Sequence, residues 1–200
     1  SSSKACAELV SSAYRDSYLR EKGISLATAR AGNVIGGGDW ADDRLVPDAI
    51  RALMKNKKPE IRNPRAIRPW QHVLEPVTGY LLLAQALFVE GDCFAEAWNF
   101  GPSQENTVDV DSVVKEITNR WGGDEHNLTP KSDYFPEAGL LKLDSSKAKN
   151  RLNWKTYFGI EEAVGITVDW YKNWSVGKQT VELTLSQIKD YFDVVKKIDE

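Results

Sequence analysis

Ile24-Ser25-Leu26-Ala27-Thr28-Ala29-Arg30-Ala31-Gly32-Asn33-Val34-Ile35-Gly36-Gly37-Gly38 is the stretch whose reading decides the fold. Its first six residues predict a short strand ending at Arg30, and the chain then turns at the strand's carboxyl end, where ligands sit on open α/β sheets. Upstream, Ala5, Leu9, Val10, Ala13, Tyr14, Tyr18 and Leu19 recur at helical spacing, with Gly23 as the stop. Downstream, residues 45–54 predict a helix with Pro47 in its first turn, residues 60–62 a short strand, and the segment with Pro64 and Pro69 a loop. After Pro76 an apolar helix runs to about Val89. Ala97-Trp98-Asn99-Phe100 reads as a buried strand closed by Gly101-Pro102. Asp109 or Asp111 caps a helix through Val113, Val114 and Ile117 to Trp121. Residues 160–174 and 185–198 are the last two helices, the final one with Ile188, Tyr191, Phe192, Val195 and Ile198 on one stripe. Helices alternating with short β segments predict a parallel α/β sheet covered on both faces.

Composition narrows the function classes. Two hundred residues, 42% hydrophobic and 28% charged, suffice for one domain or parts of two. The 26 basic and 29 acidic residues are interspersed, with no basic block to follow a phosphate backbone, which argues against nucleic acid. Cys6 and Cys93 form neither a CxxC nor a disulfide framework, and His72 and His126 are too far apart in sequence to suggest a metal site. That usage suits a reducing cytoplasm. The longest apolar stretch, around Leu81 to Val89, is interrupted by Gln85 and is shorter than a membrane span.

Gly36-Gly37-Gly38 is not a dinucleotide-binding turn. It precedes the polar run Asp39-Trp40-Ala41-Asp42-Asp43 and lacks the spacing that brings a backbone to a pyrophosphate at a helix N-terminus. The chemistry lies elsewhere. Ile61-Arg62-Asn63-Pro64-Arg65-Ala66-Ile67-Arg68-Pro69-Trp70-Gln71-His72-Val73 crowds guanidinium, amide and aromatic groups together. Such a set suits a diphosphate beside a flat ring, since a guanidinium offers paired donors to phosphate oxygens. A surface loop with several arginines is the plainer alternative. Of the seven tryptophans, Trp98, Trp121, Trp154, Trp170 and Trp174 sit at apolar positions and read as core, leaving Trp40 and Trp70 as site candidates.

Three motifs in order carry a family resemblance: Ser1-Ser2-Ser3-Lys4-Ala5-Cys6-Ala7-Glu8, then Arg30-Ala31-Gly32-Asn33-Val34-Ile35-Gly36, then Arg62-Asn63-Pro64 with Arg68-Pro69-Trp70-Gln71-His72-Val73. Together they resemble the second half of an extended short-chain dehydrogenase/reductase of the nucleotide-sugar dehydratase and epimerase type. The wording of the third motif points to the branch that dehydrates CDP-glucose. The resemblance implies the C-terminal part of an NAD-binding Rossmann fold, residues 1–35 and 73–101, interleaved with a smaller α/β substrate lobe, residues 36–72 and 102–200. It makes Lys4 the catalytic lysine, which holds the nicotinamide ribose and lowers the pKa of a tyrosine one helical turn earlier, just before Ser1. The backbone at Ala31 lies against the nicotinamide. Asn33, Arg44, Arg68 and Asn99 contact the substrate, Ile61 and Asn63 belong to the base pocket, and Glu137 lies in a ribose-contacting segment, with Pro136 where the family commonly has histidine.

Taken singly, these residues have ordinary readings: a solvated lysine, a turn-forming Asn33 or Asn99, a charge at a helix start for Arg44. Read jointly, they imply a fragment cut beside its own tyrosine and inactive alone. In the whole protein they imply an NAD-dependent cytoplasmic lyase for CDP-glucose. It would be a homodimer through the helix at 5–19 and would serve deoxysugar synthesis such as that of lipopolysaccharide O-antigen. Another nucleotide-sugar dehydratase or epimerase, and a noncatalytic sugar-nucleotide-binding polypeptide, remain the alternatives. No metal is expected.

Overall fold

The computed structural model describes residues 2–103, 107–124, 129–130 and 139–199. The chain clusters into two units, one of Ser1–Ala31, Glu75–Gly101 and Leu143–Lys155, the other of Gly32–Leu74, Pro102–Lys142 and Thr156–Glu200.

In the first unit, helix α1 (Ser2–Tyr14) continues through a π-helical turn, Arg15–Leu19, and a 3₁₀ turn, Arg20–Lys22, before Gly23 ends it at φ 67°. A left-handed stop of this kind is where glycine is favoured. None of the α1 side chains is buried; Leu9, Val10 and Tyr14 are all exposed. Strands β1 (Thr28–Ala31) and β5 (Ala97–Phe100) pair in parallel from Thr28↔Ala97 to Ala31↔Phe100. The expected strand at 24–29 is thus displaced toward its carboxyl end, because Thr28 is the first residue with a partner strand to pair against. Helix α3 (Leu74–Glu90) packs Gly79 on the sheet, and a Cβ there would come 2.3 Å from the Phe100 ring. Leu83, Phe94, Trp98, Phe100 and Trp154 fill the core with Ala148 and Leu152 of α5 (Ser146–Leu152). Both buried indoles are satisfied: Trp98 donates to the Phe94 carbonyl and Trp154 to that of Glu75, each at 3.0 Å. Leu74–Phe94 is, among the described residues, the one stretch long and apolar enough to cross a membrane by length and composition. Leu83 and Gly79 of that stretch pack into this core.

The second unit holds a mixed sheet in which β4 (Ile67–His72) lies between β2 (Asn33–Ile35), parallel, and β6 (Thr107–Asp109), antiparallel. The segment across Pro69, expected as a loop, is instead part of strand β4. The β2 pairing begins only at Asn33↔Trp70, so proline's missing N–H costs no hydrogen bond to β2. A short parallel pair, β3 (Glu60–Ile61) and β7 (Thr129–Pro130), stands apart. Helices α2 (Leu45–Met54), α4 (Val110–Trp121) and α6 (Ile160–Ser175) enclose a core of Ile50, Ile61, Val114, Ile117, Val164 and Val168. Asp109 caps α4, its carboxylate accepting the Ser112 N–H at 2.7 Å. Helix α7 (Thr180–Asp199) begins five residues before its expected start and lies against α6, where Gln187 donates to the Ile166 carbonyl at 2.7 Å and Tyr191 is fully buried.

Candidate functional site

A cavity of about 520 Å³ opens in the second unit. Its walls come from three places. Gly32 to Gly36 supply β2 and the glycine on either side of it; Asp39, Asp43 and Arg44 supply the loop leading into α2; Glu60, Arg62, Asn63, Arg68 and Trp70 supply β3, the following turn and β4. Gly32 is required at the first wall, since a Cβ there would sit 2.4 Å from the Pro69 carbonyl oxygen. Its volume lies within the range of small-molecule sites, of order 300–1,000 Å³.

Five residues singled out by sequence meet in this cavity: Asn33, Arg44, Asn63, Arg68 and Trp70. Arg44 is the residue before α2, in extended conformation, and its guanidinium stands 3.6 Å from the Asp39 carboxylate. Arg68 lies on β4, its guanidinium donating to the Ile67 carbonyl at 3.0 Å. Trp70 is buried under the floor, its indole N–H donating to Val108 O at 3.2 Å. Ile61 is buried in the hydrophobic core, so its side chain does not line the cavity. Lys4, Ala31 and Asn99 belong to the first unit. Lys4 is exposed in the first turn of α1, Ala31 ends β1, and Asn99 accepts from Arg30 Nε at 2.8 Å while donating to the Asp144 carbonyl at 3.0 Å. Glu137 lies outside the described residues.

Sequence reasoning missed Arg62, Asp39 and Asp43 as lining groups. Arg62 pairs with Asp43, so the cavity presents three guanidiniums with the loop carboxylates of Asp39 and Asp43 paired to them, and Asp48 and Glu60 also line it. Arg62 stood inside the quoted arginine motif and could have been named; the aspartates could not, because they reach the motif from a loop about twenty residues earlier. Three guanidiniums and two carboxamides around one opening can bind a dianionic or polyphosphate group through paired charge-assisted hydrogen bonds, with the carboxylates exchanging out as the phosphate enters. Among the described residues no group of His, Cys, Asp and Glu could hold a metal ion.

Residues 1–97 match the NAD dependent epimerase/dehydratase family. Over 98% of its length the chain is 45% identical to CDP-glucose 4,6-dehydratase of Salmonella typhimurium, and it spans 56% of that relative. Among solved structures, dTDP-glucose 4,6-dehydratase of Streptomyces venezuelae, with NAD and TYD bound, superposes with a TM-score of 0.73 at 20% identity, over 86% of this chain and 50% of that one. UDP-glucose 4-epimerase of Thermotoga maritima, with UDP-glucose, gives 0.68 at 23% identity, over 80% of this chain and 50% of that one. At such identities the likeness is one of fold: this chain has the α/β fold of the nucleotide-sugar dehydratases and epimerases.

Toward NAD the first unit offers the carboxyl end of a parallel strand, closed by the small Ala31, and an exposed ammonium at Lys4. Those features fit a nicotinamide ribose. A glycine-rich turn for the pyrophosphate is not found among the described residues.

Proposed function

We propose that the chain is the lysine-bearing and substrate-binding part of an NAD-dependent CDP-glucose 4,6-dehydratase. The single observation that carries the reading is the cavity that draws Arg44, Arg62 and Arg68 together with Asn33 and Asn63, in a chain 45% identical to such a dehydratase. The arginines and asparagines hold the substrate's diphosphate and so fix where the glucose ring goes. Lys4 holds a tyrosine one helical turn earlier as phenolate, by the favourable charge of its ammonium, so that the tyrosine takes the proton of the C4 hydroxyl near neutral pH. NAD, when bound, supplies the acceptor for hydrogen from C4 and the donor to C6. Water leaves across C5 and C6 between those events, and the product is CDP-4-dehydro-6-deoxyglucose. The exposed, unpaired thiols of Cys6 and Cys93 suit a reducing cytoplasm.

The test is turnover by the full-length protein with NAD, offered CDP-glucose, dTDP-glucose and UDP-glucose in parallel. The reading expects 4-keto product from CDP-glucose at least tenfold faster than from the others. Turnover that favours dTDP- or UDP-glucose, or a C4 epimer as product, would assign the chain to another member of the family.

A further inference from the structure

The loop that carries Asp39, Asp43 and Arg44 into the cavity is held on its far side by aromatic residues of α6. Trp40 is not among the lining residues. Its ring lies 4.6 Å from that of Trp174, at 52°, and meets Tyr171 edge-on at 5.1 Å. The Tyr171 hydroxyl, on a fully buried ring, donates to the Asp39 carbonyl at 2.6 Å. Gly37 presses so closely on Trp170 that a Cβ there would come 2.1 Å from the indole. On the other flank Arg51 of α2 donates to the carbonyls of Trp40 at 2.9 Å and Ala41 at 3.2 Å. The backbone from Asp39 to Ala41 is therefore fixed from two helices. The Asp39 carboxylate, accepting from Ala41 N at 3.0 Å, holds Arg44 from inside the cavity.

We propose that Trp40 is a positioning residue for phosphate recognition: its ring, seated on Trp174 and Tyr171, fixes the backbone that delivers Arg44 to the substrate's diphosphate. Trp40, a site candidate in the sequence, is 38% exposed. The structure gives it a different task, because its packed neighbours are protein rings while the lining runs through Asp39 before it and Asp43 after it. Arg44, at 65% side-chain exposure, has among the described residues only the weak Asp39 pair to orient it directly. Without an anchored loop the guanidinium would have to be ordered by the ligand, at a cost in affinity. This rests on reading the cavity as a nucleoside-diphosphate site.

The experiment is a double-mutant cycle on the full-length protein with NAD, measuring CDP binding by calorimetry for wild type, Trp40→Ala, Arg44→Ala and the double variant. Trp40→Ala is expected to weaken CDP binding about tenfold, Trp40→Phe to restore it to within threefold, and the double variant to bind no more than threefold worse than Arg44→Ala alone. With CDP-glucose, Trp40→Ala is expected to raise KM and leave kcat within a factor of three. Additive losses in the cycle, or a fall in kcat at unchanged KM, would overturn the role. If the alanine chain loses its cooperative melt, Trp40→Leu, which keeps apolar volume without a ring face, carries the same cycle. Failure of the wild type to turn over CDP-glucose would sink the substrate assignment, and the CDP cycle would still decide the role of Trp40.

Discussion

Arg68 and His72, four residues apart on β4, meet opposite surroundings. Arg68 lines the cavity, and its replacement by leucine is expected to weaken CDP binding by about 2–4 kcal/mol, the scale for removing one partner of a charge-assisted pair, while NAD binding hardly moves. Equal losses for both ligands in calorimetry would make it structural. His72 is buried, its ring edge-on to Phe158 at 5.8 Å, with Nδ1 accepting from Leu74 N at 3.4 Å and Nε2 without a hydrogen-bond partner. Burial lowers its pKa to about 4 from the ordinary 6.5. The unfolded chain thus binds a proton that the folded chain refuses between pH 6.5 and about 4, and stability falls as pH falls through that window. Its full extent is about 3 kcal/mol, at 1.36 kcal/mol for each pKa unit. Urea melts at pH 7 and 5 should show His72→Gln losing less stability on acidification than wild type; identical losses would mean the ring is not neutral by burial. The arginine motif was legible in sequence because its members are neighbours along the chain. The aspartates opposite them were not, because only the folded loop brings them there.

Short elements and tight approaches are where the sequence said least. Helix α5 has only Ala148 and Leu152 as buried positions, too few for a period to show, and its place is fixed instead by side chains that reach outside it. Lys147 binds Glu96 at 2.6 Å and Arg151 pairs with the same carboxylate. Burial pushes the Glu96 carboxyl up, but Lys147 and Arg151 outweigh it and hold it below its usual range. Pro69 masked β4, because a proline reads as a break unless the neighbouring strand is known to start one residue later. Strand β5, helix α2 and the Asp109 cap were legible, since each carries its signal locally. The glycine loop read as a turn, yet its tightest constraint is tertiary. Gly37→Ala should cost about 1–3 kcal/mol or more, the range for overpacking, because its Cβ would overlap the Trp170 indole. Gly139→Ala, with nothing within 4 Å of the added carbon, is the control. A denaturant midpoint unchanged in Gly37→Ala would mean the loop does not rest on α6 as described.

One exposed apolar surface of the first unit lies on α1, where Leu9, Val10, Tyr14 and Tyr18 of the helix and its continuation are all more than half exposed. Helices of this kind pair into bundles that bury such residues, so the full-length protein is expected to sediment as a homodimer at micromolar concentration. Leu9→Glu with Val10→Glu should shift it toward monomer; a wild type that is already monomeric would leave α1 without that role. The 200-residue chain alone, spanning 56% of the relative it matches, is expected to convert no CDP-glucose. Three motifs in order carried the family resemblance, while the gathering of side chains from the second and third into one cavity depends on how β2, β3 and β4 lie together. What most directly separates a dehydratase from an epimerase on this fold is the fate of the hydrogen at C4. CDP-glucose carrying deuterium at C4, turned over by the full-length protein with NAD, should yield a 4-keto product with the label in its C6 methyl group by NMR. Label returned to C4 of an intact hexose, or lost to solvent with none at C6, would contradict the account.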